Sequence, residues 1–154
     1  MKKYFPLAVL FLTLNFSALA IGSWLMNGES QGDWYQNLTK ASWTPPGWVF
    51  GFAWTFIMLC FSLYLVKLIT VITAIRFWLL FGAQFVLNIS WNYVFFNQHN
   101  ISLGLVILIL LTLLILFYTF SFIPKLKKTT LLVLPYTVWL CLATSLNLYI
   151  YLNN

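Results

Sequence analysis

The chain has 154 residues, 62% of them hydrophobic and 6% charged, with a formal net charge of +6. Soluble domains are about a quarter charged, so this polar surface cannot coat a globule in water, and the bilayer is the solvent. Both acidic residues, Glu29 and Asp33, share one short stretch, and the basic residues fall in small clusters between apolar runs. Those clusters read as topology signals and form no nucleic-acid-binding patch.

The opening stretch MKKYFPLAVLFLTLNFSALA has the basic start, apolar core and Ala-x-Ala ending of a secretory signal. The apolar run continues through Ile21, Trp24 and Met26 and reaches the roughly 20 residues that a bilayer span needs, so it reads as a retained first helix over 4–26. The connection 27–43 is long for a compact bundle and holds Trp34, Tyr35 and Trp43, so it reads as an ordered lid over the outer end. Thr44 ahead of Pro45 and Pro46 predicts a capped second span over 45–66, with proline in its first turn. Further spans are predicted over 73–95, 101–123 and 130–151, with Pro124 closing the fourth and Pro135 able to kink the fifth. The long continuous apolar runs exclude a barrel, whose strands would alternate. The fold class is an all-α membrane protein, a five-transmembrane-helix bundle forming a single integral membrane domain over 1–154.

Lys2, Lys3, Lys67, Arg76, Lys125, Lys127 and Lys128 fall on one side of such a bundle, and Lys40 alone on the other. That bias places the N-terminus in the cytoplasm and the C-terminus outside. Cys60 and Cys141 lie inside apolar runs without CxxC or Cys/His spacing, so they read as small buried thiols and no metal site is expected.

Helical phase groups Gly47, Gly51, Trp54 and Met58 on the second span, Gln84, Asn88, Trp91 and Phe95 on the third, and Tyr136, Trp139, Ala143 and Asn147 on the fifth. The fourth span offers only Gly104, Thr112 and Thr119 among Leu and Ile, and is expected to face lipid most. Asn and Gln are costly in hydrocarbon and should point inward, which brings Trp91 and Trp139 with them, and by inference Trp54. Trp24, Trp43, Trp48 and Trp78 suit the interfacial belts. Gly47 and Gly51 either serve helix contact, as a GxxxG, or clear volume beside Trp54 for a flat guest. Inward indoles closed by an aromatic loop suggest a cavity for a planar, conjugated or sterol-like ligand.

The stretches WYQNLTKASWTPPGWVFGFAWTFIM, GAQFVLNISWNYVFFNQH and LPYTVWLCLATSLNLYIY together resemble the tryptophan-rich sensory protein / translocator protein family (TspO/MBR, the peripheral benzodiazepine receptor family). The likeness covers nearly the whole chain in order. It implies a five-helix membrane protein, often a homodimer, that binds porphyrins such as protoporphyrin IX and related flat hydrophobic ligands. Bacterial members of the family are linked to tetrapyrrole regulation and stress, which makes the bacterial cell membrane the expected location. By motif matching the ligand-binding residues fall on Tyr35, Pro45, Trp54, Asn88, Trp91, Trp139 and Ala143, and helical phase adds Met58 and Phe95. The aromatic pair proposed for light-dependent porphyrin breakdown in the family falls on Trp54 and Trp139, the candidate catalytic residues if the chain is an enzyme. No resident cofactor is implied; porphyrin is the ligand. An uncoupled transporter of porphyrin or sterol-like molecules is the further alternative, since no ionisable residue falls at mid-membrane. The chain departs from the animal sterol pattern, for no basic residue follows Lys128; a loose match, Leu59 to Tyr64 to Lys67, lies elsewhere. His99, the sole histidine, reads as a solvated loop residue.

Overall fold

The structure, a computed structural model, describes residues 4–154, so the expectations for Lys2 and Lys3 lie outside the described residues. Helix α1 (Phe5–Met26) has proline in its first turn, where a missing N–H costs nothing, and ends on Asn27 in the left-handed conformation. The connection that follows folds a short helix, α2 (Asp33–Asn37). α3 (Gly47–Leu68) begins directly after Pro46. Thr44 does not cap it, contrary to expectation: its hydroxyl donates to the Ala41 carbonyl at 2.7 Å. Two prolines separate Thr44 from the first free helical N–H groups, and a capping side chain reaches only the groups immediately after it.

α4 (Ala74–Asn92) runs on into a π-helical turn, Tyr93–Asn97. α5 (Ile101–Ser121) is capped by the Asn100 side chain, which accepts from the Leu103 N–H at 3.0 Å. A short helix, α6 (Ile123–Leu126), and a 3-10 turn, Lys127–Leu132, lead into α7 (Leu134–Asn153). Pro124 thus opens α6 rather than closing the fourth span. Pro135 lies in the first turn of α7 and leaves it unkinked; the 72° bend falls ahead of it, between Ile123–Leu132 and Leu134–Asn153. Among the described residues α1, α3, α4 with its π turn, and α5 are each long and apolar enough to cross a membrane, and α7 passes together with the bent segment before it. α7 falls short by itself because it carries Tyr136, Thr137, Thr144 and Asn147, all at least partly buried.

α1 packs on α3 and α4, and α5 lies against both α4 and α7. Phe11 is fully buried against Phe77 and Phe81. One turn on, the Asn15 amide donates to Ser62 Oγ at 2.8 Å, and that hydroxyl donates to the Met58 carbonyl. The signal-like stretch is therefore part of the bundle. Hydroxyl pairs join α5 to α7, Thr112 with Thr144 at 2.8 Å and Thr119 with Thr137 at 2.7 Å. Such bonds hold helices together where lipid gives no hydrophobic drive.

Two expectations are corrected here. α5 is not the most lipid-facing helix: 39% of its most apolar stretch is buried, against 22% for that of α1. Its Leu and Ile run all round, so periodicity could not show the buried stripe of Leu108, Leu111 and Ile115. The cysteines are not buried thiols either, for Cys60 is partly exposed and Cys141 exposed. Both fall on the outer face of their helices, where an apolar thiol meets lipid at little cost.

The basic residues gather at one end. The Lys67 ammonium lies 4.3 Å from the centre of the Tyr4 ring, the Arg76 guanidinium covers Phe122, and Lys125 donates to the Val71 carbonyl. Lys40 lies at the opposite end, over the Tyr35 ring at 4.6 Å.

Candidate functional site

The polar centre of the bundle is Tyr136, on the first turn of α7. Its phenol oxygen accepts from the Asn88 amide at 2.8 Å and from the Gln84 amide at 3.0 Å. Gln84 and Asn88 are one turn apart on α4, so both reach the same atom. Gln84 Oε1 has no protein partner. A phenol has one proton to give, and turning the Gln84 amide over would let Oε1 take it, freeing Nε2 instead. In either arrangement one buried amide atom of Gln84 stays open. The Trp91 indole N–H and Asn147 Oδ1, on the same faces of α4 and α7, are also buried and unpaired. Buried unpaired polar atoms are uncommon in folded proteins, and each asks for a water or a guest.

Rings surround this centre. Trp54 meets Tyr136 edge-on at 5.9 Å, and Trp139 meets Phe50 at 5.3 Å. Trp91 stacks on Phe95, with ring centres 5.6 Å apart and planes within 11°. The π turn widens the helix by one residue and brings both Phe95 and Phe96 inward. Gly104 of α5 makes room for that turn; a Cβ there would lie 3.1 Å from Phe95.

The connection 27–43 covers this aromatic layer. Trp34 meets Phe95 edge-on at 5.6 Å, and Tyr35 meets Phe96 at 5.3 Å. Burial pushes the Tyr35 phenol above its ordinary pKa. The segment is tied down at both sides. His99 stacks on Trp34 with centres 4.2 Å apart and faces Glu29 at 3.5 Å. Thr39 exchanges two hydrogen bonds with the Asn154 side chain, and the Trp43 indole donates to Ser145. His99, read as a solvated loop residue, is exposed and also serves as a stacking partner.

The predicted site residues do not all converge. Met58, Asn88, Phe95 and Trp139 are buried, and Tyr35, Trp54, Trp91 and Ala143 are partly buried within the same two ring clusters. Pro45 is partly buried at the approach to α3. Gly47 and Gly51 do not share their inward position: both are exposed, and a Cβ on either would meet nothing within 4 Å. They do not pack on another helix of this chain, and the space beside them is open. No residue of α3 before Ile57 is fully buried; Val49, Phe50, Ala53 and Trp54 pack on the core while the opposite face of this outer half stands open. One surface cleft of about 450 Å³ and one of about 620 Å³ are lined by other residues than the inner indoles. The inner indoles instead meet the chain's own rings. Helical phase had grouped Gln84 and Tyr136 with the site without choosing them as ligand contacts; their complementary hydrogen bonding was the available signal. Phe50 carried none beyond being aromatic, and Trp34 counted only toward the ordered connection. Among the described residues no cluster of His, Cys, Asp and Glu could hold a metal.

The model of the TspO/MBR family matches residues 9–152. The chain is 36% identical over 146 residues to the "Tryptophan-rich protein TspO" of Archaeoglobus fulgidus, covering 90% of this chain and 92% of that one. It is 31% identical to the human "Translocator protein" over 139 residues, 87% of this chain and 82% of the other. With the "Tryptophan-rich sensory protein" of Cereibacter sphaeroides it shares 30% identity over 115 residues, 75% and 73% of the two chains. The match runs from the first turns of α1 to the last turn of α7, through every element that builds the aromatic site, and the chain belongs to the TspO/MBR family.

Proposed function

We propose that the protein is a membrane receptor and sensor that binds porphyrins, protoporphyrin IX or haem-type tetrapyrroles, among Trp54, Trp91 and Trp139 beneath the Trp34–Tyr35 lid. One observation carries this reading. Inside an aromatic shell, the Trp91 N–H, one Gln84 amide atom and Asn147 Oδ1 have no protein partner. A flat conjugated ring would stack on the indoles while its nitrogens and carboxylates answer those polar atoms. Neutral amides, a phenol and indoles can stack and hydrogen-bond, which suits recognition more than acid–base chemistry. The guest would slide between rings that now meet one another, entering past the open outer half of α3 or under the lid. The names of the relatives, a sensory protein and a translocator, agree with a ligand-responsive membrane protein. The basic bias supports an N-terminus in the cytoplasm and a C-terminus outside. The working unit in this reading is a homodimer in the bilayer.

The experiment is an absorbance titration of protoporphyrin IX with the protein in detergent, in the dark and under illumination. A saturable shift of the porphyrin band in the dark is expected. No shift at any protein concentration would reject the reading. Protein-dependent bleaching in light, lost in Trp54→Phe and Trp139→Phe while binding persists, would add a photochemical role for those two indoles.

A further inference from the structure

At the basic end of the bundle a groove of about 620 Å³ lies between the start of α1 and the end of α3. Tyr4, Phe5 and Ala8 form one wall, Leu63 and Lys67 the other, with Thr129 from the turn before α7. Among the described residues the lining is almost wholly apolar apart from the Lys67 ammonium and the hydroxyls of Tyr4 and Thr129. The protein has no carboxylate to answer Lys67. Its two acidic residues, Glu29 and Asp33, follow the far end of α1, a helix of 22 residues. At 1.5 Å per residue that is a separation of roughly 33 Å. Arg76 and Lys125 are at the same end as Lys67, with Lys127 and Lys128 beside Thr129 in sequence, so the whole end is uncompensated positive charge.

A groove with apolar walls and a cation at its mouth selects a ligand with both an acyl chain and a negative headgroup. We infer that it binds an anionic phospholipid, its chain along Phe5, Ala8 and Leu63 and its phosphate against Lys67. Free phosphate lacks the chain, and a sterol or a zwitterionic lipid lacks the net charge. A second copy of this chain seated by the same face would set Lys67 against Lys67. The sterol-like pattern from Leu59 through Tyr64 to Lys67 does not describe this surface. Tyr64 is fully buried and donates its hydroxyl to the Tyr118 carbonyl at 2.8 Å.

The test is native mass spectrometry of the full chain in detergent, titrated with phosphatidylglycerol or with phosphatidylcholine of the same acyl chains. Phosphatidylglycerol should bind more tightly. Lys67→Gln should weaken it about fivefold, the effect of one lysine near an anionic headgroup, and leave phosphatidylcholine unchanged. Lys67→Arg should keep the preference, and Lys40→Gln, at the other end, should change nothing. Ala8→Trp fills the groove and should weaken both lipids. Lys67 is exposed, so its variants test the charge without disturbing the core. Equal binding of the two lipids, or phosphatidylglycerol binding that survives Lys67→Gln, overturns the inference. So does displacement by excess inorganic phosphate, or a dimer that Ala8→Trp dissociates while lipid binding stays as it was.

Discussion

Tyr136 shows how much one side chain can organise. Its oxygen satisfies two amides from α4 inside the membrane, where no water competes. Tyr136→Phe strands both donors and should lower stability by about 1–2 kcal/mol, read as an earlier midpoint in denaturant titration. Removing the Tyr35 ring should loosen the lid without unfolding the bundle. Tyr35 also gives the lid a pH dependence. Burial holds its phenol above the ordinary value in the docked state, so docking favours the protonated form. The contribution is whole below the ordinary value and is lost as pH rises past it. Protease cleavage within 27–43 should therefore quicken in strongly alkaline buffer, and Tyr35→Phe should abolish that rise. At this scale the sequence was readable where chemistry forced a choice. Gln84 and Asn88 had to point inward, and the indoles on their face went with them. Gly47 and Gly51 share the phase of Trp54 yet lie exposed beside open space, because phase gives a direction and not a neighbour.

Among the elements, the π turn at Tyr93–Asn97 and the glycine facing it are a matched pair. Gly104→Leu would drive a side chain into Phe95 and should cost about 1–3 kcal/mol, as overpacking does. Thermal unfolding in detergent measures this; Gly82→Leu, where a Cβ meets nothing within 4 Å, is the control and should stay near wild type. Element existence was legible from apolar runs of spanning length, and the ends were not. The stop of α4 was blurred by the π turn, which no period-3.6 reading contains. The short helix α2 and the bent approach to α7 were invisible because each owes its shape to packing: α2 to Phe95 and Phe96, the approach to the end of α3. The uniform Leu and Ile of α5 hid its buried side.

For the whole molecule, charge and aromatic rings divide the labour along the bundle axis. Lysine and arginine crowd one end, and the lid, both acids and the open polar atoms of Trp91 and Asn147 lie toward the other. The proposed topology follows from that division. Cysteine placed at positions 2 and 153, in a background lacking Cys60 and Cys141, should react with impermeant reagent from outside only at 153. Labelling of position 2 from outside would reverse the orientation. The central claim is that the inner indoles, and not the belt indoles, hold a porphyrin. It is tested most directly by dark titration of protoporphyrin IX against the fluorescence of four single variants. Trp54→Phe and Trp139→Phe should each weaken binding by about 0.5–1.5 kcal/mol, roughly two- to tenfold, since an aromatic contact shrinks while most volume remains. Trp24→Phe and Trp78→Phe, on exposed rings, should bind as the parent does. Equal losses in all four variants, or losses confined to the exposed pair, would contradict the account.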